Sequence, residues 1–168
     1  MAETEKKTAY IKLTVDTPLY IDFEAWKAKE KNWRTLLSGY LCEEHFQNFK
    51  DAGDASELVD VVDPETGEVE QKDILIDCLY SHCAQQNGFV QENGPLTDSI
   101  FRVLLSRRNE PISAAELGDI LNKNPNVILK TLTSRTYRGI KAFSAKKLQE
   151  FLFNYKFFWH CREIVLIE

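Results

Sequence analysis

Residues 112–132 read ISAAELGDILNKNPNVILKTL, and this segment predicts two helices joined by a short turn. Ser113 and Glu116 have the spacing of a capping box, in which the hydroxyl reaches a free amide of the first turn and the carboxylate reaches back. Leu121 is the last apolar residue of the first helix, and Pro125 is well suited to the first position of the second. The pattern therefore predicts a helix-turn-helix unit.

A further helix is predicted ahead of this unit, over residues 96–106, where apolar residues recur at spacings of three and four. The three helices together resemble the helix-turn-helix core of winged-helix regulators. In such families a small residue stands where two helices cross closely, and Gly118 has that place here. The second helix of the motif carries two inward residues four positions apart, matched by Ile128 and Leu132. The resemblance covers residues 96–134 and implies a DNA-binding module.

A wing of β-strands is the other part of a winged-helix module. Residues 137–143 and 163–167 have the composition of strands and could pair in such a wing. The segment between them, residues 144–153, has a helical pattern, and a simple wing contains no helix. The predicted wing is therefore either elaborated or absent.

The charge of the chain is divided between two halves of opposite sign. Residues 1–97 contain 9 Lys and Arg against 19 Asp and Glu, and residues 98–168 contain 12 against 7, so net charges of −10 and +5 sum to −5. The sign changes beside Asn93-Gly94-Pro95, a segment typical of domain boundaries. We therefore predict an α+β, mostly α fold, with an acidic helical module carrying a small strand pair at 1–94 and a winged-helix-like module at 95–168.

The basic half has the charge that nucleic-acid binding requires, because a DNA-binding module neutralises phosphates and places a helix in the major groove. Asparagine can read adenine edges, and lysine can read guanine edges or hold phosphate. The candidates for these contacts lie on the outward side of the second helix and after it: Asn126, Lys130, Thr133, Arg135, Arg138 and Lys141. The leading prediction is a non-enzymatic DNA-binding or transcription-associated protein, with double-stranded DNA as its partner.

The same helix allows a second interpretation. Val127 and Leu129 flank its inward positions, and an outward apolar surface there suits a protein partner better than a DNA groove. Under this hypothesis the module is a protein-interaction domain that reuses the winged-helix shape and binds another protein or a second copy of the chain.

Cysteine and histidine residues in the acidic half have spacings that suit a metal ion. Cys42 and His45 are three positions apart on one predicted helix, and Cys78 and His82 are four apart on another. Each pair shares a helix face, so two crossing helices would offer two thiolates and two imidazoles to one tetrahedral Zn²⁺. Cys83 lies about 100° from His82 on such a helix and is the less favoured ligand. The alternative is that the cysteines are small core residues.

Enzyme motifs are missing from the sequence, which has no GxSxG, P-loop, GxGxxG or HExxH pattern. A Cys nucleophile with a His base, for instance Cys83 with His45, is a hypothesis that depends on their distance in space. The sequence therefore favours a non-enzymatic protein.

The expected location is the cytoplasm. Residues 1–7 are polar and charged with no apolar segment behind them, which is unlike a secretory signal. No run of about 18 apolar residues is present, so no membrane partner is expected. In a reducing compartment the four cysteines are predicted to be thiols or metal ligands rather than disulfides.

Overall fold

The structure, a computed structural model, describes residues 13–52, 58–62, 66–67, 69–91, 93–134 and 137–142. Seven α-helices and five strands are formed within these ranges, with one 3₁₀ turn at Cys83–Gln85. In chain order they are β1 (Pro18–Ile21), α1 (Phe23–Lys29), α2 (Trp33–Ser38), α3 (Glu43–Ala52), β2 (Leu58–Val62), β3 (Val69–Asp73), α4 (Ile74–Ser81), α5 (Leu96–Ser106), β4 (Ile112–Ser113), α6 (Ala114–Leu121), α7 (Pro125–Ser134) and β5 (Ile140–Ala142). The predicted fold class, α+β and mostly helical, is confirmed.

A three-stranded antiparallel sheet has β1 as its central strand, with β4 and β5 on either side. Leu19 is paired with Ile112 of β4 and with Ala142 of β5. At the end of β1, the side-chain amide of Asn109 accepts from the Ile21 amide at 2.7 Å and donates to the Ile21 carbonyl at 2.9 Å. The sheet therefore joins a strand of the first predicted module to two strands of the second.

One hydrophobic core extends across the described residues. Trp26 of α1 meets Phe101 of α5 edge to face, with 5.5 Å between the ring centroids, an arrangement that aromatic pairs favour. The largest side chains that are almost completely buried come from both predicted modules: Leu19, Ile21, Leu37, Leu75, Leu79, Ile100, Phe101, Leu104, Leu105, Ile112, Leu117 and Ile128. The domain boundary at residue 94 stays a prediction, and the core is continuous across it.

The helix-turn-helix unit has the bounds that the sequence predicts. The Glu116 amide donates to Ser113 Oγ at 3.2 Å, and the Ser113 amide donates to the Glu116 carboxylate at 2.9 Å, so the capping box is formed. A Cβ on Gly118 would lie 2.8 Å from the Lys123 carbonyl oxygen and 2.9 Å from Pro125 Cγ. Only glycine therefore fits where α6 meets the beginning of α7.

The predicted wing lies only partly within the described residues. Residues 140–142 form β5, and the strand that β5 pairs with is β1. The predicted partner, residues 163–167, and the helical segment 144–153 lie outside the described residues. The winged-helix arrangement as a whole therefore stays a prediction.

A separate hairpin confirms the small strand pair of the acidic module. β2 and β3 pair antiparallel, with Leu58 opposite Asp73 and Val62 opposite Val69. Asp73 ends β3 and accepts a hydrogen bond from the Leu75 amide at 3.0 Å, so the hairpin leads directly into α4. Among the described ranges, the longest helix is α5 with 11 residues, and none is long and apolar enough to cross a membrane.

Candidate metal centre

Cys42 and His45 lie at the beginning of α3, one helical turn apart. Cys42 precedes the first helical residue, and its carbonyl oxygen accepts a hydrogen bond from the Phe46 amide at 2.8 Å. The segment before it is anchored in the core by Leu37 and Tyr40, both buried. This anchoring leaves Cys42 half-buried at the end of the helix, with His45 beside it.

His82 and Cys83 lie where α4 ends. His82 has φ −131° and ψ −65°, outside the helical range, and the 3₁₀ turn begins at Cys83. The side-chain amide of Gln85 donates to a carbonyl oxygen in the last turn of α4 at 3.1 Å and to that of the last residue of α5 at 3.0 Å. These hydrogen bonds hold the turn against the end of α5, so the positions of His82 and Cys83 are set by the core helices.

The donor atoms of these four residues all lie within 4.8 Å of one another, and we call the group the thiol–imidazole cluster. Cys42 Sγ lies 3.0 Å from His45 Nδ1 and 3.9 Å from His82 Nδ1. Cys83 Sγ lies 3.4 and 4.0 Å from the same two nitrogens. The two sulfur atoms are 3.6 Å apart, and the imidazole rings meet edge to face.

These separations are close to the edges of a tetrahedron around a zinc ion. With Zn–S bonds of about 2.3 Å and Zn–N bonds of about 2.0–2.1 Å, a tetrahedral centre has S–S edges of about 3.8 Å and S–N edges of about 3.6 Å. The observed S–S distance is 3.6 Å, and the four observed S–N distances, from 3.0 to 4.0 Å, lie on both sides of the ideal value. The cluster therefore has the size of a four-coordinate metal site.

Burial raises the pKa of two cysteine thiols, Cys83 and Cys78. Cys83 is 1% exposed, and burial raises the pKa of its thiol to about 12. Burial also raises the pKa of the Cys78 thiol. Both thiols are therefore protonated at neutral pH in the absence of a cation, and a metal ion that binds Cys83 must displace its proton.

The same burial bears on the hypothesis of a Cys nucleophile. Cys83 Sγ and His45 Nδ1 are 3.4 Å apart, close enough for a nucleophile and its base. A reactive cysteine, however, is partly exposed and has a lowered pKa. Cys83 is almost fully buried with a raised pKa, so the pair lacks two properties that a thiol enzyme requires.

The cluster contains three of the four predicted metal ligands, with Cys83 in place of Cys78. Cys78 lies outside the four-residue group, with its Sγ 4.0 Å from Cys83 Sγ. The sequence pattern predicts one helix over residues 74–86, on which Cys83 points away from His82. Because α4 ends at Ser81, that helical projection does not apply to the next two residues. The adjacency of His82 and Cys83 is visible in the sequence, but it indicates the observed set only once the end of α4 is known.

Half of the predicted nucleic-acid contacts are exposed on α7. Asn126, Lys130 and Thr133 all lie at its surface, and the helix contains no acidic residue. Val127 is 51% exposed, whereas Leu129 is partly buried against the core. Of the two apolar residues that would favour a protein partner, only Val127 therefore faces outward.

The other predicted contacts are placed differently. Arg135 lies outside the described residues. Lys141 Nζ forms an ion pair with Asp22 Oδ2 at 2.9 Å. The Arg138 guanidinium packs over three aromatic rings, at 5.0 to 5.6 Å from their centroids. Lys141 and Arg138 thus interact with other parts of the fold, so among the described residues the cationic surface is smaller than the sequence pattern indicates.

Arg138 belongs to a charged and aromatic network around Asp98, which we call the Asp98 network. Arg138 Nη1 is 3.8 Å from Asp98 Oδ1, and the guanidinium lies 5.0 Å from the centroid of the Tyr40 ring, within cation–π range. Asp98 also accepts hydrogen bonds from Arg102 Nε at 2.8 Å and from the Tyr40 hydroxyl. Tyr40 lies two residues before Cys42, so the network links the approach to the cluster with α5 and the segment before β5.

Comparisons with known proteins found no match for this chain. No family model matches it, and neither does any curated protein or solved structure. The function therefore has to follow from the chemistry of the residues, and the likeness to winged-helix regulators depends on the sequence pattern of residues 96–134 alone.

Proposed function

We propose that the protein is a non-enzymatic zinc-binding protein, in which one Zn²⁺ ion is held by Cys42, His45, His82 and Cys83. The observation that supports the proposal is the convergence of these four donor atoms within 4.8 Å of one another, with S–S and S–N separations close to tetrahedral edges. The donors come from two segments that are distant in the sequence. Their convergence is therefore a consequence of tertiary packing rather than of local chain geometry.

The donor set favours zinc and a structural role. Two sulfur and two imidazole ligands suit Zn²⁺, whereas Mg²⁺ and Ca²⁺ take oxygen ligands. All four positions of a tetrahedral centre are filled by protein, and structural zinc sites are closed in this way, while catalytic sites keep an open position. The ion would join the beginning of α3 to the end of α4 and the 3₁₀ turn.

Zinc content measures the proposal directly. The full chain, loaded with zinc and freed of excess ion, should contain one zinc per molecule by elemental analysis. Cys83→Ser should lower the content to less than a tenth, because it removes one of two thiolate ligands, and Cys78→Ser should leave it unchanged as the matched control. A wild-type chain without zinc, or loss of zinc in Cys78→Ser but not in Cys83→Ser, would contradict the proposal.

We propose nucleic-acid contact through α7 as a second function. The observation that favours it is the polar exposed side of α7, where Asn126, Lys130 and Thr133 lie in a helix without acidic residues. Because Arg138 and Lys141 interact with the rest of the fold, few cations of the described residues are left to neutralise phosphates there, and we expect weak binding that depends on salt.

Fluorescence anisotropy with a short DNA duplex tests this second function. We expect binding at about 50 mM salt that weakens severalfold at about 200 mM. Lys130→Ala should weaken it further, whereas Lys29→Ala, an exposed lysine on α1, should not. No binding at the lower salt, or equal binding by both variants, would rule out α7 as the contact surface.

A further inference from the structure

The thiol–imidazole cluster has a third sulfur beside it. Cys83 Sγ lies 3.6 Å from Cys42 Sγ on one side and 4.0 Å from Cys78 Sγ on the other. A disulfide bond is about 2.05 Å long, so either pair would have to close by about 1.5 to 2 Å. Movements of that size are within the reach of side-chain rotation. The three sulfur atoms are therefore close enough for thiol oxidation chemistry.

We propose that the metal centre is redox-responsive, and that a peroxide converts Cys42 and Cys83 into a disulfide with release of the metal. This inference rests on the proposed zinc site. The S–S distance selects the pair, since its sulfur atoms are 3.6 Å apart and those of Cys78 and Cys83 are 4.0 Å apart. Within the pair, Cys42 is half-buried whereas Cys83 is 1% exposed. A small oxidant therefore reaches Cys42 first, and Cys83 is the sulfur nearest to it.

The chemistry is a two-electron oxidation with hydrogen peroxide as the oxidant. The Cys42 thiolate attacks one peroxide oxygen, so that an S–O bond forms, the O–O bond breaks and hydroxide leaves. The Cys83 thiolate then attacks Cys42 Sγ, so that the S–S bond forms, the S–O bond breaks and a second hydroxide leaves. The two hydroxides take up two protons from solvent and become water.

Oxidation removes both thiolate ligands at once, and the ion would keep only His45 and His82. Two imidazoles do not fill a structural zinc site, which requires four ligands. The disulfide would continue to join the beginning of α3 to the 3₁₀ turn. The metal would thus be released while the two segments stay connected.

Cys78 provides a matched control for this proposal. It is half-buried, lies 4.0 Å from Cys83 Sγ, and stands outside the four donors of the cluster. In Cys78→Ser we expect the same disulfide and a rate of zinc release within twofold of the parent chain. If Cys78 were the true partner of Cys83, this variant would lose disulfide formation.

The experiment uses the zinc-loaded full chain with Cys161→Ser, because that cysteine lies outside the described residues. Hydrogen peroxide is added, released zinc is followed with a chromogenic chelator, and the disulfide is located by peptide mass mapping. We expect one zinc released for each disulfide, a link between Cys42 and Cys83, and recovery of zinc binding after reduction with a thiol.

Three results would overturn the proposal: zinc retained in the presence of peroxide, zinc released with sulfinic acid and no disulfide, or a link between Cys78 and Cys83. A chain that holds no zinc before peroxide is added contradicts the proposed function instead. The two failures are therefore distinguishable in one experiment.

Discussion

The helix-turn-helix unit and the thiol–imidazole cluster differ in how far apart in the sequence their determinants lie. In the unit, Ser113 caps α6 through Glu116 three positions later, and Gly118 meets Pro125 at the next helix. In the cluster, Cys42 and Cys83 come from segments separated by α3, the hairpin and α4. Local signals therefore define the first region, whereas tertiary packing defines the second.

Metal removal should have the largest effect, and it acts on the cluster alone. A strong chelator added to the zinc-loaded protein should lower the free energy of unfolding by about 4 kcal/mol, if zinc is present at about a thousand times its Kd. Denaturant unfolding with and without chelator measures the difference. Cys83→Ser should not respond to the chelator. Equal stability of the wild-type chain in both conditions would contradict a structural metal.

Loss of the Asp98 network should have the second-largest effect on the free energy of unfolding. The network connects Tyr40, close to the thiol–imidazole cluster, with α5, which precedes the helix-turn-helix unit. Asp98→Asn leaves the Arg138 guanidinium without its nearby carboxylate, and we expect a loss of about 3 kcal/mol in the free energy of unfolding. Glu24→Gln is the control, since Glu24 pairs with Lys27 on the surface with its side chain 85% exposed. That variant should change stability by less than about 0.5 kcal/mol. Similar losses in both variants would show that burial of the network has no role.

The same substitution, glycine to alanine, can be made in the helix-turn-helix unit and in the segment before the thiol–imidazole cluster. Gly118→Ala places a Cβ 2.8 Å from the Lys123 carbonyl oxygen, and we expect a loss of about 2 kcal/mol in thermal or denaturant unfolding. Gly39→Ala, between α2 and Cys42, has φ −64° and its nearest neighbour at 3.5 Å. Alanine fits there and should stabilise the fold by about 0.5 kcal/mol. A neutral or stabilising Gly118→Ala would show that α6 and α7 are not closely packed.

The capping box should give the smallest effect, visible as a dependence on pH. Hydrogen bonds from the amide and hydroxyl of Ser113 hold the pKa of Glu116 below its ordinary value of 4.5. The folded state therefore gains stability above that value and loses it as the pH falls through the lowered pKa. We expect Glu116→Gln to cost about 0.5 kcal/mol at pH 7 and less at pH 3. A cost that is equal at both pH values would argue against the ionised box.

The sequence predicts the three helices within residues 96–134 well because their signals are short-range. The capping residue, the proline and the left-handed Asn122 after α6 all lie within one or two turns of the elements they delimit. The end of α4 is harder to predict, since no proline or glycine follows until Gly88. Close to that end, Gln85 donates hydrogen bonds to the last turn of α4 and to the end of α5, and the second of these contacts is long-range. That difference is why the helical pattern of the sequence favours Cys78 over Cys83.

The predicted nucleic-acid contacts also show that a sequence pattern does not reveal long-range side-chain partners. A sequence pattern identifies Arg138 and Lys141 as cations but carries no information about their partners. Asp22 and Tyr40, which engage them, lie about a hundred positions earlier in the chain. Exposure on α7, by contrast, follows from helical periodicity, and Asn126 lies on the predicted side.

Zinc K-edge absorption of the zinc-loaded full chain tests the central claim most directly, because it counts the ligand atoms around the metal. We expect two sulfur atoms at about 2.3 Å and two nitrogen atoms at about 2.0–2.1 Å in the wild-type chain, and a shell dominated by the oxygen atoms of unbound zinc in Cys83→Ser with added zinc. A shell of nitrogen and oxygen atoms alone, or a spectrum of Cys83→Ser that is identical to wild type, would contradict the claim that the thiol–imidazole cluster binds the ion.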